Sequence, residues 1–479
     1  MATDDNFIVA IELGSSKVTA LAGRKQPDGA IQVLACAQEP SDTFIRKGRI
    51  NNVNKMTQCI TNIKERLEKK LQKSISRVYV GIGGMGMHTV ANTVTRCFHE
   101  KTIVSAEIVA EIANTNHQAS SPEREILEAV PQEFKLGTQF QIDPVGIPTE
   151  SIEGRYLNIV ANSTVREGIT HCFHAAGVNI ADMPITVLRL ADSMLTESEK
   201  RSGCVFVDMG AETTSVAVFK NNLLRHLAVI PLGGANINRD IASLQIDDKE
   251  AERLKLKYGS AAYADPDEEA APIQLEDGRQ VKYEELCGLI EARMEEIILN
   301  VSNQITLSKY DPSQLIAGII VTGGAAQIKD IDKAIEELTG FTKKRFLNKS
   351  RLQTRTSIND FNRDGSYNAA LAIIDEANLN CCGGDIGDNT NDIFQAEEKR
   401  RQEEEKIRLA AEQAAEQAKN NENNSQNTDS EEEEEEIKKP KKKSGFRKFL
   451  NKFMDLAQNM VSEEDNLTSN NKKETEKGE

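Results

Sequence analysis

The chain has 479 residues with 59 basic and 75 acidic side chains, a formal net charge of −16. That balance excludes a global positive field, and no nucleic-acid partner is expected. At ~100 to 200 residues per domain the length allows two to four globular units, and an abrupt change of composition near residue 381 assigns the core-forming part to the first 380 residues.

No basic, apolar leader precedes the first strand-like segment, and no window of about 20 apolar residues occurs, so neither a signal peptide nor a membrane span is expected. The eight cysteines, at 36, 59, 97, 172, 204, 287, 381 and 382, show no C-x-x-C or His-paired spacing. A reduced cytoplasmic setting is expected, with the vicinal Cys381 and Cys382 read as two unpaired surface thiols and a redox or metal pair as the other reading.

The apolar run Phe7-Ile8-Val9-Ala10-Ile11 breaks at Glu12-Leu13-Gly14-Ser15-Ser16-Lys17 and resumes as Val18-Thr19-Ala20-Leu21-Ala22, which predicts a β-hairpin. Its turn gathers backbone N–H groups, hydroxyls, an ammonium and a carboxylate, a set suited to a phosphate and its metal, although most Gly-Ser turns are only turns. Apolar positions at Met56, Ile60, Ile63, Leu67 and Leu71 predict a helix over 54–73, followed by a strand over 77–82. Residues 86–165 read as a small α+β insertion, with a strand pair around 88–97, a helix from 105 to 118 and short strands interrupted by Pro131, Pro144 and Pro148. A helix over 166–176 follows, then strand character at 178–180 and again at 185–188.

A second hairpin repeats the grammar of the first: Cys204-Val205-Phe206-Val207, the turn Asp208-Met209-Gly210-Ala211-Glu212-Thr213-Thr214, then Ser215-Val216-Ala217-Val218-Phe219. In both, an acid closes one strand and hydroxyls open the next. Farther on, the run Gly318-Ile319-Ile320-Val321-Thr322 ends in Gly323-Gly324-Ala325 before a helix near Ile331. Paired glycines there let backbone approach a flat ligand. Two acid-ended hairpins about 195 residues apart, followed by such a turn, describe a cleft between similar lobes that clasps a triphosphate, with two carboxylates holding water around a magnesium ion.

These residues resemble the two phosphate motifs and the adenosine motif of the actin, sugar kinase and heat-shock chaperone superfamily. More closely, residues 6–380 resemble the FtsA family of bacterial cell-division proteins. The resemblance extends to Leu127-Glu128-Ala129-Val130-Pro131-Gln132-Glu133-Phe134, to the stretch from Leu224-Arg225-His226 through Ile230-Pro231-Leu232-Gly233-Gly234, and to Thr322-Gly323-Gly324-Ala325-Ala326-Gln327-Ile328. It implies an α/β, two-lobed actin-like ATPase fold: lobe 1 from 1–85 and 166–202, an inserted α+β subdomain over 86–165 for subunit and partner contacts, and lobe 2 over 203–380. Within lobe 2 it implies a helical subdomain at about 246–309 and a final helix returning to lobe 1.

The resemblance also implies that Gly14, Ser15, Ser16, Lys17, Gly210, Thr213 and Thr214 take the phosphates of ATP, and that Glu12 and Asp208 stand around Mg2+ through water. Glu252 and Lys255, three apart on the charged helix 252–259, would serve ribose and base together with Gly323, Gly324 and Ala325. A merely solvated charged helix is the other reading of 252–259. Two departures matter. Ala211 and Glu212 stand where the second motif usually has glycines, so Glu212 either repels the nucleotide or turns away. Leu188-Arg189-Leu190-Ala191-Asp192 offers no Glu or Gln to orient an attacking water, so no catalytic residue is assigned and at most weak ATPase activity is expected.

Residues 381–445 lack a core, carry six consecutive glutamates at 431–436 and read as a charged disordered linker, spanning on the order of 45 Å as flexible coil. After a lysine run at 438–443, the apolar residues Phe446, Phe449, Leu450, Phe453, Met454, Ala457, Met460 and Val461 fall on one helical stripe opposite Arg447, Lys448, Asn451, Lys452 and Asp455. Such a helix over 446–461 reaches about 25 Å and is charged on one side, so it should lie in an anionic membrane surface rather than cross it. Docking in a partner groove is the alternative, and the long acidic linker favours the membrane. Residues 462–479 read as a disordered tail.

The expectation is therefore an actin-like ATP-binding division protein. It polymerises with itself on the cytoplasmic face of the inner membrane at the septum, tethers FtsZ there and recruits later division proteins; the polymer, FtsZ and recruitment come from the resemblance alone. Another actin-like filament or assembly ATPase is the rival, and less so a small-molecule kinase of the superfamily, for which no acceptor site is legible. A chaperone would carry a β-rich domain where this chain turns polar.

Overall fold

A computed structural model describes residues 6–119, 123–262, 271–356 and 358–385. The linker beyond 385, the amphipathic helix over 446–461 and the tail lie outside the described residues.

Strands Ile8–Leu13 and Lys17–Lys25 pair antiparallel from Ile8↔Gly23 to Leu13↔Val18, and Ile31–Pro40 continues the meander. On the other flank of the first strand, Arg77–Gly81 and Asn179–Asp182 run parallel to it. The first strand is thus paired along both edges, and Ile8, Val9, Ala10 and Ile11 are all buried, so it reads as an unbroken apolar run. Helix Val53–Leu71 buries Met56, Cys59, Ile60, Ile63 and Leu67; the Asn52 side chain caps it by accepting from the Lys55 N–H, and Lys69 and Lys70 meet its negative end.

Lobe 2 repeats this plan. Cys204–Met209, Thr214–Lys220 and Leu223–Ile230 form an antiparallel meander, and Gly318–Thr322 and Lys344–Phe346 run parallel to its first strand. In both lobes the order is third, second and first strand of the meander, then two parallel strands. Glu12 and Asp208 each occupy the penultimate position of their strand, at the carboxyl ends where open α/β sheets bind ligands.

The insertion consists of His88–Ile103, Arg124–Leu136, Gln139–Gln141, Pro148–Asn162 and helix Ala106–Gln118, around a small core that includes Ile112, Phe134, Ile152 and Tyr156. Its strands are longer than the sequence reading. Residues 88–97 belong to one 16-residue strand rather than a strand pair. The prolines do not cut strands because Pro131 faces Tyr156 at a register shift, Pro148 opens its strand and Pro144 lies in a connecting loop. The insertion leaves lobe 1 in the chain but extends the sheet of lobe 2: His88 bridges Ala228, and the Val229 N–H donates to the Met87 carbonyl at 3.0 Å.

Residues 185–188 are not a strand. Ile185 makes one bridge to Ile82, and Thr186–Met194 is a helix that buries Val187, Leu188, Leu190, Ala191 and Met194. A window of four residues is too short to separate the two periods. Helix Asn368–Glu376 packs Ala370, Leu371, Ile373 and Ile374 into the lobe 1 core. Cys381 is buried rather than a surface thiol, because its segment tucks beside Phe7 with a Cys381 N–H to Phe7 carbonyl bond of 2.8 Å. No helix among the described residues is long and apolar enough to cross a membrane.

Candidate functional site

Between the lobes lies a cleft of about 980 Å³, lined by both hairpin turns and by the Gly323-Gly324 turn. In the first turn a Cβ on Gly14 would stand 2.6 Å from the Lys17 carbonyl, so a side chain is excluded and the turn closes tightly. The Ser41 hydroxyl donates to the Gly14 carbonyl at 2.6 Å, and the Gly48 N–H donates to the Ser15 hydroxyl at 3.0 Å. Ser15, Ser16 and Lys17 line the cleft.

In the second turn the Gly210 N–H donates to the Thr213 carbonyl at 2.8 Å. The start of helix Gly234–Ala242 stacks against this turn, with the Gly234 and Ala235 N–H groups donating to the Gly210 and Ala211 carbonyls. A Cβ on Gly233 would fall 2.6 Å from the Gly210 carbonyl, so only glycine permits that approach. Gly210 and Thr213 line the cleft, whereas Thr214 does not. Thr214 is fully buried and its hydroxyl donates to the Leu232 carbonyl at 2.9 Å. The alternation of strand side chains sends Thr213 and Ser215 to the cleft and Thr214 the other way.

The third turn seals the floor. Gly323 has φ +98°, and a Cβ there would lie 2.3 Å from the Met209 carbonyl and 2.7 Å from Asp208 Oδ1; Gly324 faces open space. On helix Asp248–Tyr258, Lys255 Nζ donates to Glu252 Oε2 at 2.7 Å and to the Gly234 carbonyl at 3.3 Å, and Asn238 Nδ2 donates to the same Glu252 oxygen at 2.6 Å. Burial would raise the Glu252 carboxyl, but the bonds from Lys255 and Asn238 outweigh it and hold the group below its ordinary value. Asn238 Oδ1 is buried with no donor of its own.

Glu12 and Asp208 carry the electrostatics. Burial pushes Glu12 up to about 7, aided by the negative charge of Asp208 and opposed by Lys17. Burial alone pushes Asp208 up to about 6. Two carboxylates held this far above their usual range favour a cation between them.

Glu212, whose side chain is only 4 % exposed, is engaged by protein. It accepts from Arg46 Nη1 at 3.0 Å, from the Lys47 N–H at 2.6 Å and from Arg239. Helix Thr186–Met194 presents Thr186, Val187 and Leu190 to the cleft, and no acid. The sequence reading missed the turn Asp364-Gly365-Ser366, which also lines the cleft. Hydrogen bonds from Ser366, aided by the nearby Lys17 charge, hold the Asp364 carboxyl low. Gly365 has φ +97°, and a Cβ there would meet the Asn348 carbonyl at 2.3 Å. A polar-Gly-Ser string just before an apolar helical stretch was the available signal.

The family profile described as cell division protein FtsA matches residues 205–372. The cell division protein FtsA of Porphyromonas gingivalis is 28% identical over 365 residues, covering 75% of this chain and 76% of that one. That of Escherichia coli strain K12 is 27% identical over 396 residues, covering 78% and 90%. Among solved structures, a chain of the PilM-PilN type IV pilus biogenesis complex superposes with a TM-score of 0.52 at 14% identity, over 77% of this chain and 97% of that one. That likeness bears on fold alone. The chain has the α/β two-lobed actin-like ATPase fold.

Proposed function

We propose that this chain, an actin-like protein of the FtsA kind, binds ATP with magnesium in the interlobe cleft and acts in cell division as a membrane-bound polymer that tethers FtsZ and recruits later division proteins. The nucleotide part rests on one observation: two hairpins of identical plan end in Glu12 and Asp208 on opposite sides of one cleft. Gly14, Ser15, Ser16 and Lys17 from one side and Gly210 and Thr213 from the other would hold the phosphates through amides, hydroxyls and the ammonium. The buried, donorless Asn238 Oδ1 and the open face of Gly324 fit a base and ribose. Two carboxylates with room for water fit magnesium, which keeps several waters when protein-bound. The chemistry supplied by the bound nucleotide is a polyanion that both lobes grip; no acid from helix Thr186–Met194 is aimed at it, so hydrolysis is weak at most.

The membrane part rests on the apolar stripe of Phe446, Phe449, Leu450, Phe453 and Met454. The FtsZ, polymer and septal parts rest on kinship with division proteins, and the position would be peripheral at the cytoplasmic face of the inner membrane. Calorimetry of the full chain with ATP and magnesium tests the first part: heat of uptake supports it, and none for any purine nucleotide overturns it. Sedimentation with phosphatidylglycerol-containing vesicles tests the second, which is lost if removing 446–461 leaves binding unchanged.

A further inference from the structure

The segment 41–50 runs from lobe 1 across the cleft mouth. Phe44 and Ile45 root it in the lobe 1 core. Toward both its ends it grips the first turn, through the Ser41 hydroxyl to the Gly14 carbonyl and the Gly48 N–H to the Ser15 hydroxyl. At its middle Arg46 and the Lys47 N–H reach Glu212 of the second turn, in lobe 2. It also holds the root of the inserted subdomain: the Met85 N–H donates to the Lys47 carbonyl at 2.8 Å, and Arg49 donates to the Met85 carbonyl at 2.9 and 3.1 Å. Gly48 and Gly84 touch backbone to backbone, since a Cβ on Gly48 would stand 2.4 Å from the Gly84 Cα. A buried carboxylate is stable only when paired, and the two arginines that meet Glu212 are 50% and 46% exposed, so the anchor is the buried acid and not the surface cations.

We propose that Glu212 is a positioning residue that latches segment 41–50 across the cleft, joining both phosphate turns and the root of the inserted subdomain into one unit, so that phosphate bound between the turns is felt at residues 85–88. The coupling rests on the nucleotide reading above; the latch itself does not.

Hydrogen–deuterium exchange on the full chain, with and without ATP and magnesium chloride, separates the two. Without nucleotide, Glu212→Ala is expected to speed exchange of the Lys47 and Gly48 amides at least ten-fold. With nucleotide, the unaltered chain is expected to slow exchange at 14–17, 210–213 and 85–88, and Glu212→Ala to keep the first two and lose the third. Unchanged exchange at 47 and 48, or protection still reaching 85–88 in the variant, overturns the proposal. Absence of protection at 14–17 and 210–213 in the unaltered chain removes the nucleotide reading and the coupling with it, while the nucleotide-free arm still decides whether Glu212 holds the segment. Should Glu212→Ala not fold, Glu212→Gln, which keeps the side chain's size and removes its charge, is expected to speed the same amides at least three-fold; no change overturns the latch.

Discussion

The charge of Asp208 reaches Glu12 across the cleft: two carboxyls that end corresponding strands of the two lobes, 196 positions apart, raise the proton affinity of the site together with burial.

A carboxyl whose folded-state pKa is raised binds its proton more tightly folded than unfolded. Glu12 moves from 4.5 to about 7 and Asp208 from 3.8 to about 6, so their contribution to the metal-free protein is unfavourable at pH 8. Stability from this pair rises as pH falls through about 7 and 6, and the gain is complete below the ordinary values. Glu12→Gln removes the penalty and should stabilise the metal-free protein by about 1 to 3 kcal/mol at pH 8, with the difference fading toward pH 4.5. Urea midpoints at several pH values measure this, and magnesium chloride should flatten the wild-type profile.

Gly323 and its neighbour should respond oppositely to the same methyl group. Gly323→Ala places a Cβ 2.3 Å from the Met209 carbonyl at φ +98°, and should destabilise by roughly 1 to 3 kcal/mol or more. Gly324→Ala meets no protein atom within 4 Å, so the melting temperature should hold while nucleotide affinity falls as the methyl enters the cleft. Paired thermal melts and calorimetry check both.

Thiol labelling should divide the cysteines by burial. Burial pushes Cys59 and Cys204 up to about 12 and Cys381 up to about 11, leaving almost no thiolate at pH 8, whereas Cys97 is exposed. In the native protein a disulfide reagent should modify Cys97 first, the half-buried Cys382 more slowly, and Cys59, Cys204 and Cys381 only on unfolding; mass spectrometry of the labelled peptides reads the order.

The inserted subdomain holds a buried amide chain: Asn116 accepts from Asn92 and Asn158 at 2.8 and 2.9 Å and donates to Asn158 at 2.7 Å. Asn116→Ala leaves partner amides unsatisfied and should cost about 2 to 3 kcal/mol. Asn116→Ala combined with Asn158→Val should cost less than the sum of the two singles, because the orphaned amide is then gone. Denaturation of the four proteins closes this cycle.

The sequence alone determined the elements whose pattern is local: the hairpins at 7–22 and 204–219, the helix after Asn52, the Gly-Gly turn and the repetition of an acid before each turn. Period, turn chemistry and glycine follow from neighbouring residues. What lay across distance was decided only in three dimensions. Thr213 and Thr214 read alike, yet the pleat sends one hydroxyl to the cleft and the other to Leu232. Glu212 read either as repelling the phosphates or as turning away, and the Arg46 guanidinium and the Lys47 backbone N–H, 166 and 165 positions away, decide it by engaging the carboxylate. Residues 185–188 became helix and the Asp364 turn joined the cleft for the same reason. Burial and pairing depend on which distant segments meet, and packing, not local propensity, selects among conformations that a short stretch of chain leaves nearly equal in free energy.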